Sequence, residues 1–212
     1  MADLVSGLYG QQNPWQGIIG LQNAVQSNVP ARTNAEYLGL STITDGALAA
    51  TGVAFAVPVP VDPGTVISYV SILVGGTAAS VPTHSFAALY SGTNVAAPPL
   101  IGQSTDGTSV TTFASGAVTV FTLTNPQRIT PAQAPYGFVY AAVSITATTI
   151  PTAMAVATPT AVGYQWFTSS TTPKGNSPLF LSATAGSSLA GTAAATFASP
   201  SAKAVAPIVI LH

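Results

Sequence analysis

Charge is what this chain of 212 residues has least of. Asp, Glu, Lys and Arg together make up 4% of it, five acids against four bases, where an average soluble protein carries roughly 25%. A folded surface must still be polar, so Ser, Thr, Asn, Gln and Gly have to supply that polarity. Such a surface responds weakly to salt. A net charge of −1 also removes the usual electrostatic barrier to association. The chain is therefore expected to work in contact with other protein surfaces. Its cations, Arg32, Arg128, Lys174 and Lys203, are scattered singly. Phosphate binding needs them clustered, so nucleic acid is not an expected partner.

Cysteine is absent, which excludes disulfide frameworks and thiolate zinc sites. The first residues, Met1 to Gly7, lack a basic segment followed by an apolar one, so a secretory signal is not expected. The longest apolar stretch, residues 46–61, contains Pro58 and Pro60. It falls short of the roughly 20 residues a membrane helix needs, and membrane insertion is not expected. No Asn-x-Ser/Thr sequon has a permitted middle residue, so no N-glycosylated surface is indicated. Synthesis in a cytoplasm is the expectation.

What is present is β-branched and periodic. Residues 1–35 stand apart. Asn13-Pro14 suits an N-cap and first helical position. Trp15, Ile18, Ile19, Gln22 and Val25 then follow at helical spacing until Val29-Pro30. This predicts a short amphipathic helix on an N-terminal arm, docked either on its own domain or on a neighbouring subunit. From about Glu36 the period becomes two. Residues 53–61 alternate, with Pro58 and Pro60 on one parity, as suits an edge strand or extended arm. Asp62-Pro63-Gly64 is a turn with a mechanism, since Pro fixes φ and Gly permits φ above zero. Residues 65–74 predict a strand with Val66, Ser68, Val70, Ile72 and Val74 on one face. Further strands are predicted at 85–90, 100–104, 118–123, 136–147, 178–182 and 204–211. Residues 182–203 are rich in Ala, Ser, Thr and Gly and predict a long surface loop. Strand rhythm and turn signals together predict an all-β, antiparallel β-sandwich of jelly-roll type over residues 36–212, preceded by the 1–35 arm.

Catalytic material is thin. Acid–base chemistry draws on His84, His212, Asp3, Glu36, Asp45, Asp62 and Asp106. Asp45, Asp62 and Asp106 each sit beside Gly or Pro and read as turn residues bonding local amides. His84 reads as a strand-end histidine bonding nearby backbone. No nucleophile elbow, phosphate loop or familiar metal-ligand spacing is present. No catalytic residue, metal or cofactor is expected. Tyr136, Phe138 and Tyr140 share one strand face and read as core. Tyr164, Trp166 and Phe167 form a second aromatic cluster, suited equally to a subunit interface and to core, with a glycan platform third. Trp15, Ile18, Ile19 and Val25 of the arm, with Ile208 and Ile210 near the end, are the expected assembly contacts.

Several segments then carry a likeness. Phe86-Ala-Ala-Leu-Tyr90, a short Gly/Asn loop, Leu100-Ile-Gly-Gln-Ser-Thr-Asp106, Phe121-Thr-Leu123 and Tyr136-Gly-Phe-Val-Tyr-Ala-Ala-Val143 resemble the β-sandwich domains of tailed-bacteriophage minor tail, adhesin and capsid-decoration proteins. The likeness covers roughly residues 65–147. It implies a non-enzymatic virion component assembled in a bacterial cytoplasm and partnered by other virion proteins. It also implies a homo-oligomer, a trimer first, and for a tail-tip subunit a host cell-surface glycan. Two alternatives stand beside the tail reading: a capsid decoration protein, and a secreted carbohydrate-binding module.

Overall fold

The computed structural model describes residues 32–33, 43–48, 51–93, 97–107, 113–157, 181–183, 192–197, 201–202 and 205–212. The helix expected within the 1–35 arm lies outside them. In chain order the strands are β1 (Arg32–Thr33), β2 (Ile43–Ala47), β3 (Ala54–Pro60), β4 (Val66–Leu73), β5 (Ser80–Ser91), β6 (Leu100–Gln103) and β7 (Val118–Arg128). They continue with β8 (Phe138–Thr149), β9 (Thr152–Ala157), β10 (Leu181–Ala183), β11 (Ser201–Ala202), β12 (Val205–Pro207) and β13 (Val209–Leu211). The described residues are all-β, and every strand pair is antiparallel.

Three sheets form. A narrow four-stranded sheet has the order β1-β13-β4-β7, and a wide six-stranded sheet the order β11-β10-β3-β8-β5-β6. A small three-stranded sheet runs β12-β9-β2. One apolar cluster draws on both larger sheets. Ile67, Val70, Ile72, Phe121, Leu123, Val209 and Leu211 come from the narrow sheet, and Phe55, Val57, Leu89, Val139, Val143 and Ile145 from the wide one. These side chains alternate with outward ones, as the two-residue strand period requires.

The wide sheet is also buried on its other face. Ala54, Ala56, Phe86, Ala88, Tyr90, Phe138, Tyr140 and Ala142 pack there with Ala193 and Phe197. Phe197 meets Tyr90 edge-on at 5.4 Å, and the Tyr90 hydroxyl donates to the Ala194 carbonyl at 3.0 Å. Residues 192–197, expected as part of a surface loop, thus seat an aromatic on the sheet. Phe138 and Tyr140 share one face of β8, whereas Tyr136 precedes the strand in a turn and stacks on Phe138 with ring centroids 6.5 Å apart. Phe138 and Tyr140 are buried in this second cluster and Tyr136 is exposed.

Two expectations are corrected. β3 is not an edge strand, because β8 pairs along its length and β10 pairs with Ala54, Phe55 and Ala56. Pro58 and Pro60 lie past the last residue β10 pairs, so their missing N–H groups break no ladder among the described residues. β4 does not keep one period. Its register against β7 shifts between Ile67 and Tyr69, and the amides of Ser68 and Tyr69 both donate to the His212 carbonyl, at 2.9 and 2.7 Å. This bulge turns Ile67 inward with Val70 and Ile72, and leaves Val66 and Tyr69 outside. The Asp62-Pro63-Gly64 turn forms as read. The Thr65 amide donates to the Asp62 carbonyl at 3.1 Å, and Gly64 takes φ +94°, the glycine position of a type II turn.

Candidate functional site

Three places in the structure gather polar or exposed side chains that the core does not explain. The first joins β5 to the segment after β6. His84 Nδ1 lies 2.6 Å from Asp106 Oδ2, and Asp106 Oδ1 accepts the Ser85 amide at 3.1 Å. Ser85 Oγ donates to the Gly107 carbonyl, and the Gly107 amide returns a bond to Ser85. An ionised carboxylate only accepts, so the hydrogen of this contact lies on Nδ1. Sequence reasoning placed both residues in local backbone contacts. They instead hold each other across |i−j| = 22, because antiparallel β5–β6 pairing returns the chain to His84. The adjoining backbone is strained. Val81 is an exposed β-branched residue at φ +47°, where such residues rarely sit. The β5–β8 register shifts between Pro82 and His84.

The second place is on the narrow sheet. His212 Nε2 is 2.8 Å from Ser71 Oγ, and its ring stacks on Tyr69 with centroids 5.1 Å apart. Burial pushes the His212 imidazole below its ordinary value, because the charged form is poorly hydrated there.

Among the described residues neither pair makes a nucleophilic triad. His84 has its carboxylate, but the nearby serine hydroxyls donate elsewhere: Ser85 to Gly107, and Ser104 to the Thr105 carbonyl. Ser71 has an imidazole, but it is 2% exposed, and no carboxylate bonds His212 among the described residues. The pairs sit on different sheets. Asp45 lies in strand β2 rather than in a turn, and its carboxylate accepts the Gly76 amide at 2.9 Å. Glycine at 75 is required there, since a Cβ at that position would overlap the Asp45 carboxylate. Asp62 pairs with Arg32 at 2.6 Å. No group of three or more His, Cys, Asp or Glu side chains could hold a metal among the described residues.

The third place is a surface. The outward side chains of β4 and β7 include Val66 and Tyr69, 36% and 39% exposed, and Val118 and Val120, 53% and 51% exposed. Cross-strand register puts Tyr69 opposite Thr122, Ser71 opposite Val120 and Leu73 opposite Val118. No charged residue lies between Val118 and Gln127. From Tyr69 to Leu73 the face is therefore apolar and hydroxylated, with Arg128 opposite Val66 at one end. Large apolar side chains held out of the core in one group are the mark of an interaction surface. Alternation in residues 118–124 hinted at it, but the inward parity is decided only by pairing.

Of the residues expected to make assembly contacts, Trp15, Ile18, Ile19 and Val25 lie outside the described residues, as do Tyr164, Trp166 and Phe167. Ile208 and Ile210 are 2% and 6% exposed. Strand β13, which carries Ile210, pairs with β4 of its own chain. They have little surface left to give a partner. No protein-family model matches the chain, and no curated protein matches it in sequence.

Proposed function

We propose that this chain is a non-catalytic structural subunit of a tailed-bacteriophage particle, associated with the tail and built to pack against other copies and other virion proteins. The observation that carries the reading is the apolar face formed by Tyr69, Val118 and Val120, where β7 has no charged residue from Val118 to Gln127. A chain with 4% charged residues has little electrostatic means of staying apart from its neighbours, and a particle component has no need to.

Topology supports the same reading. Take β1, β3, β4, β5, β6, β7, β8 and β13 in chain order and letter them B to I. The narrow sheet then reads B-I-D-G and the central part of the wide sheet C-H-E-F, the arrangement of an eight-strand jelly roll. That architecture serves viral shell and lectin domains among others, so it favours assembly or surface recognition without choosing a ligand.

The test is gold labelling of purified particles with an antibody raised to the whole chain. Label at the tail tip is the expected result and makes receptor binding the next question. Label spread over the head replaces the tail assignment with capsid decoration. Absence of label from particles, with an antibody that reacts fully with the free chain, refutes the particle reading.

A further inference from the structure

β7 is the last strand of the narrow sheet, with β4 on one side of it. Hydrogen bonds fix where its backbone points. Tyr69 and His212 exchange both of their bonds, the Tyr69 amide to the His212 carbonyl at 2.7 Å and the His212 amide to the Tyr69 carbonyl at 3.2 Å. The backbone groups of Tyr69 and Ser71 therefore face β13, and those of Val70 and Ile72 face β7. The Val74 amide keeps that parity, donating to the Ala117 carbonyl at 2.8 Å. Val70 stands opposite Phe121, and Ile72 opposite Thr119. Phe121 and Thr119 thus turn their N–H and C=O groups to β4, while those of Val118 and Val120 point off the edge of the sheet. No described residue bonds them. Among the described residues the edge is met at Leu123, by an isolated bridge to Ser104.

Open edges are normally blunted by lysine, proline, a bulge or an inward charge. This stretch has none of these. No charged residue lies between Val118 and Gln127, and no proline comes before Pro126. The register with β4 is unbroken from Val118 to Thr122. Val118-Thr119-Val120 is a β-branched run that favours strand pairing, and its two valines are 53% and 51% exposed. The open groups are also self-complementary. Place two copies antiparallel across a two-fold axis at Thr119, and Val118 of one stands opposite Val120 of the other. Each such pair exchanges both of its bonds, so every open group of Val118 and Val120 is satisfied at once. The exposed valines then meet as cross-strand neighbours on the outward face. With no charge on this stretch, nothing repels a like strand.

We propose that two copies of this chain join edge to edge through β7, antiparallel, with Val118 of one opposite Val120 of the other, so that their narrow sheets run into one. The contact is isologous and closes at the dimer. It deepens the reading of a subunit that packs against its own copies, and rests on that reading. Its test uses the free chain, so its failure is distinct from the absence of label on particles.

The chain has no cysteine of its own, so single thiols report the register. Val118→Cys and Val120→Cys are made as separate variants of the full chain. Opposed residues have Cα atoms about 5.5 Å apart, within disulfide range. The two copies of Val118 are about 9 Å apart, beyond it. On oxidation, the expected result is a disulfide dimer in the mixture of the two variants and none in either alone. No dimer in the mixture, or an equal yield from one variant alone, overturns the pairing. Sedimentation of the unaltered chain is expected to show a monomer–dimer equilibrium. Val120→Pro removes an amide that β4 does not use, so it should keep the circular dichroism of the fold. It should weaken the dimer about 10- to 100-fold, because each copy loses a donor. A chain that stays monomeric at every concentration, or a dimer that Val120→Pro leaves as tight, refutes the proposal.

Discussion

Tyr140 and Tyr90 stand opposite each other in the β5–β8 ladder, both fully buried in the second cluster of the wide sheet, yet their hydroxyls have different fates. Tyr90 donates to the Ala194 carbonyl at 3.0 Å. The Tyr140 hydroxyl is buried and has no hydrogen-bond partner among the described residues. Burial pushes both phenols far above their ordinary value, through desolvation of the charged form. A buried hydroxyl without a partner costs about 1–3 kcal/mol, whereas a typical satisfied bond contributes about 1 kcal/mol. Tyr140→Phe keeps the ring, its 5.3 Å edge-on contact with Phe138, and the packing, and removes only the unpaired oxygen. It should raise the unfolding free energy by about 1 kcal/mol, or Tm by about 2–4 °C in a chain of this size. Tyr90→Phe should do the opposite, lowering stability by about 1 kcal/mol and leaving the Ala194 carbonyl short of a donor. Urea unfolding at constant m-value reads both. A Tyr140→Phe variant destabilised by more than about 1 kcal/mol would mean the hydroxyl has a partner, and the reasoning would fail.

Other consequences are as direct. Leu89 is fully buried in the shared core, so Leu89→Ala should cost about 2–5 kcal/mol, seen as a lower urea midpoint. Gly75→Ala would drive a Cβ into the Asp45 carboxylate; loss of the bond between Asp45 and the Gly76 amide should lower Tm by several degrees, and an unchanged Tm counts against the clasp. Val81→Asn replaces a β-branched residue at φ +47° with one that tolerates the left-handed region, and should stabilise by about 1 kcal/mol. His212 is lowered from its ordinary 6.5 by burial. The unfolded chain therefore binds its proton at higher pH than the folded one. Stability from this group is complete above pH 6.5 and declines as pH falls from there through the lower folded value. His212→Gln should flatten that part of the stability profile, and an identical slope in both proteins would contradict it.

Local physics made much of the fold legible. Alternation marks the strands in residues 53–61, 65–74 and 118–123, because side chains in a strand change face at every residue. Asp62-Pro63-Gly64 announces its turn, because fixed φ at Pro63 and free φ at Gly64 act within four residues. The apolar end, residues 208–211, announced a sheet position, because it is too hydrophobic to stay in water. Scarce charge, too, is wholly a property of the sequence.

Tertiary structure decided the rest. Which face of β4 turns inward depends on a bulge held by the His212 carbonyl, and Ser71 and His212 meet across |i−j| = 141, beyond the reach of any local pattern. That Pro58 and Pro60 lie in an internal strand is possible because, among the described residues, the pairing with β10 ends at Ala56. Asp45 and Asp106 look like turn residues in sequence, yet each carboxylate serves an amide from a distant segment. Periodicity tells a residue that it alternates. Only the pairing of strands far apart in the chain tells it which side is water.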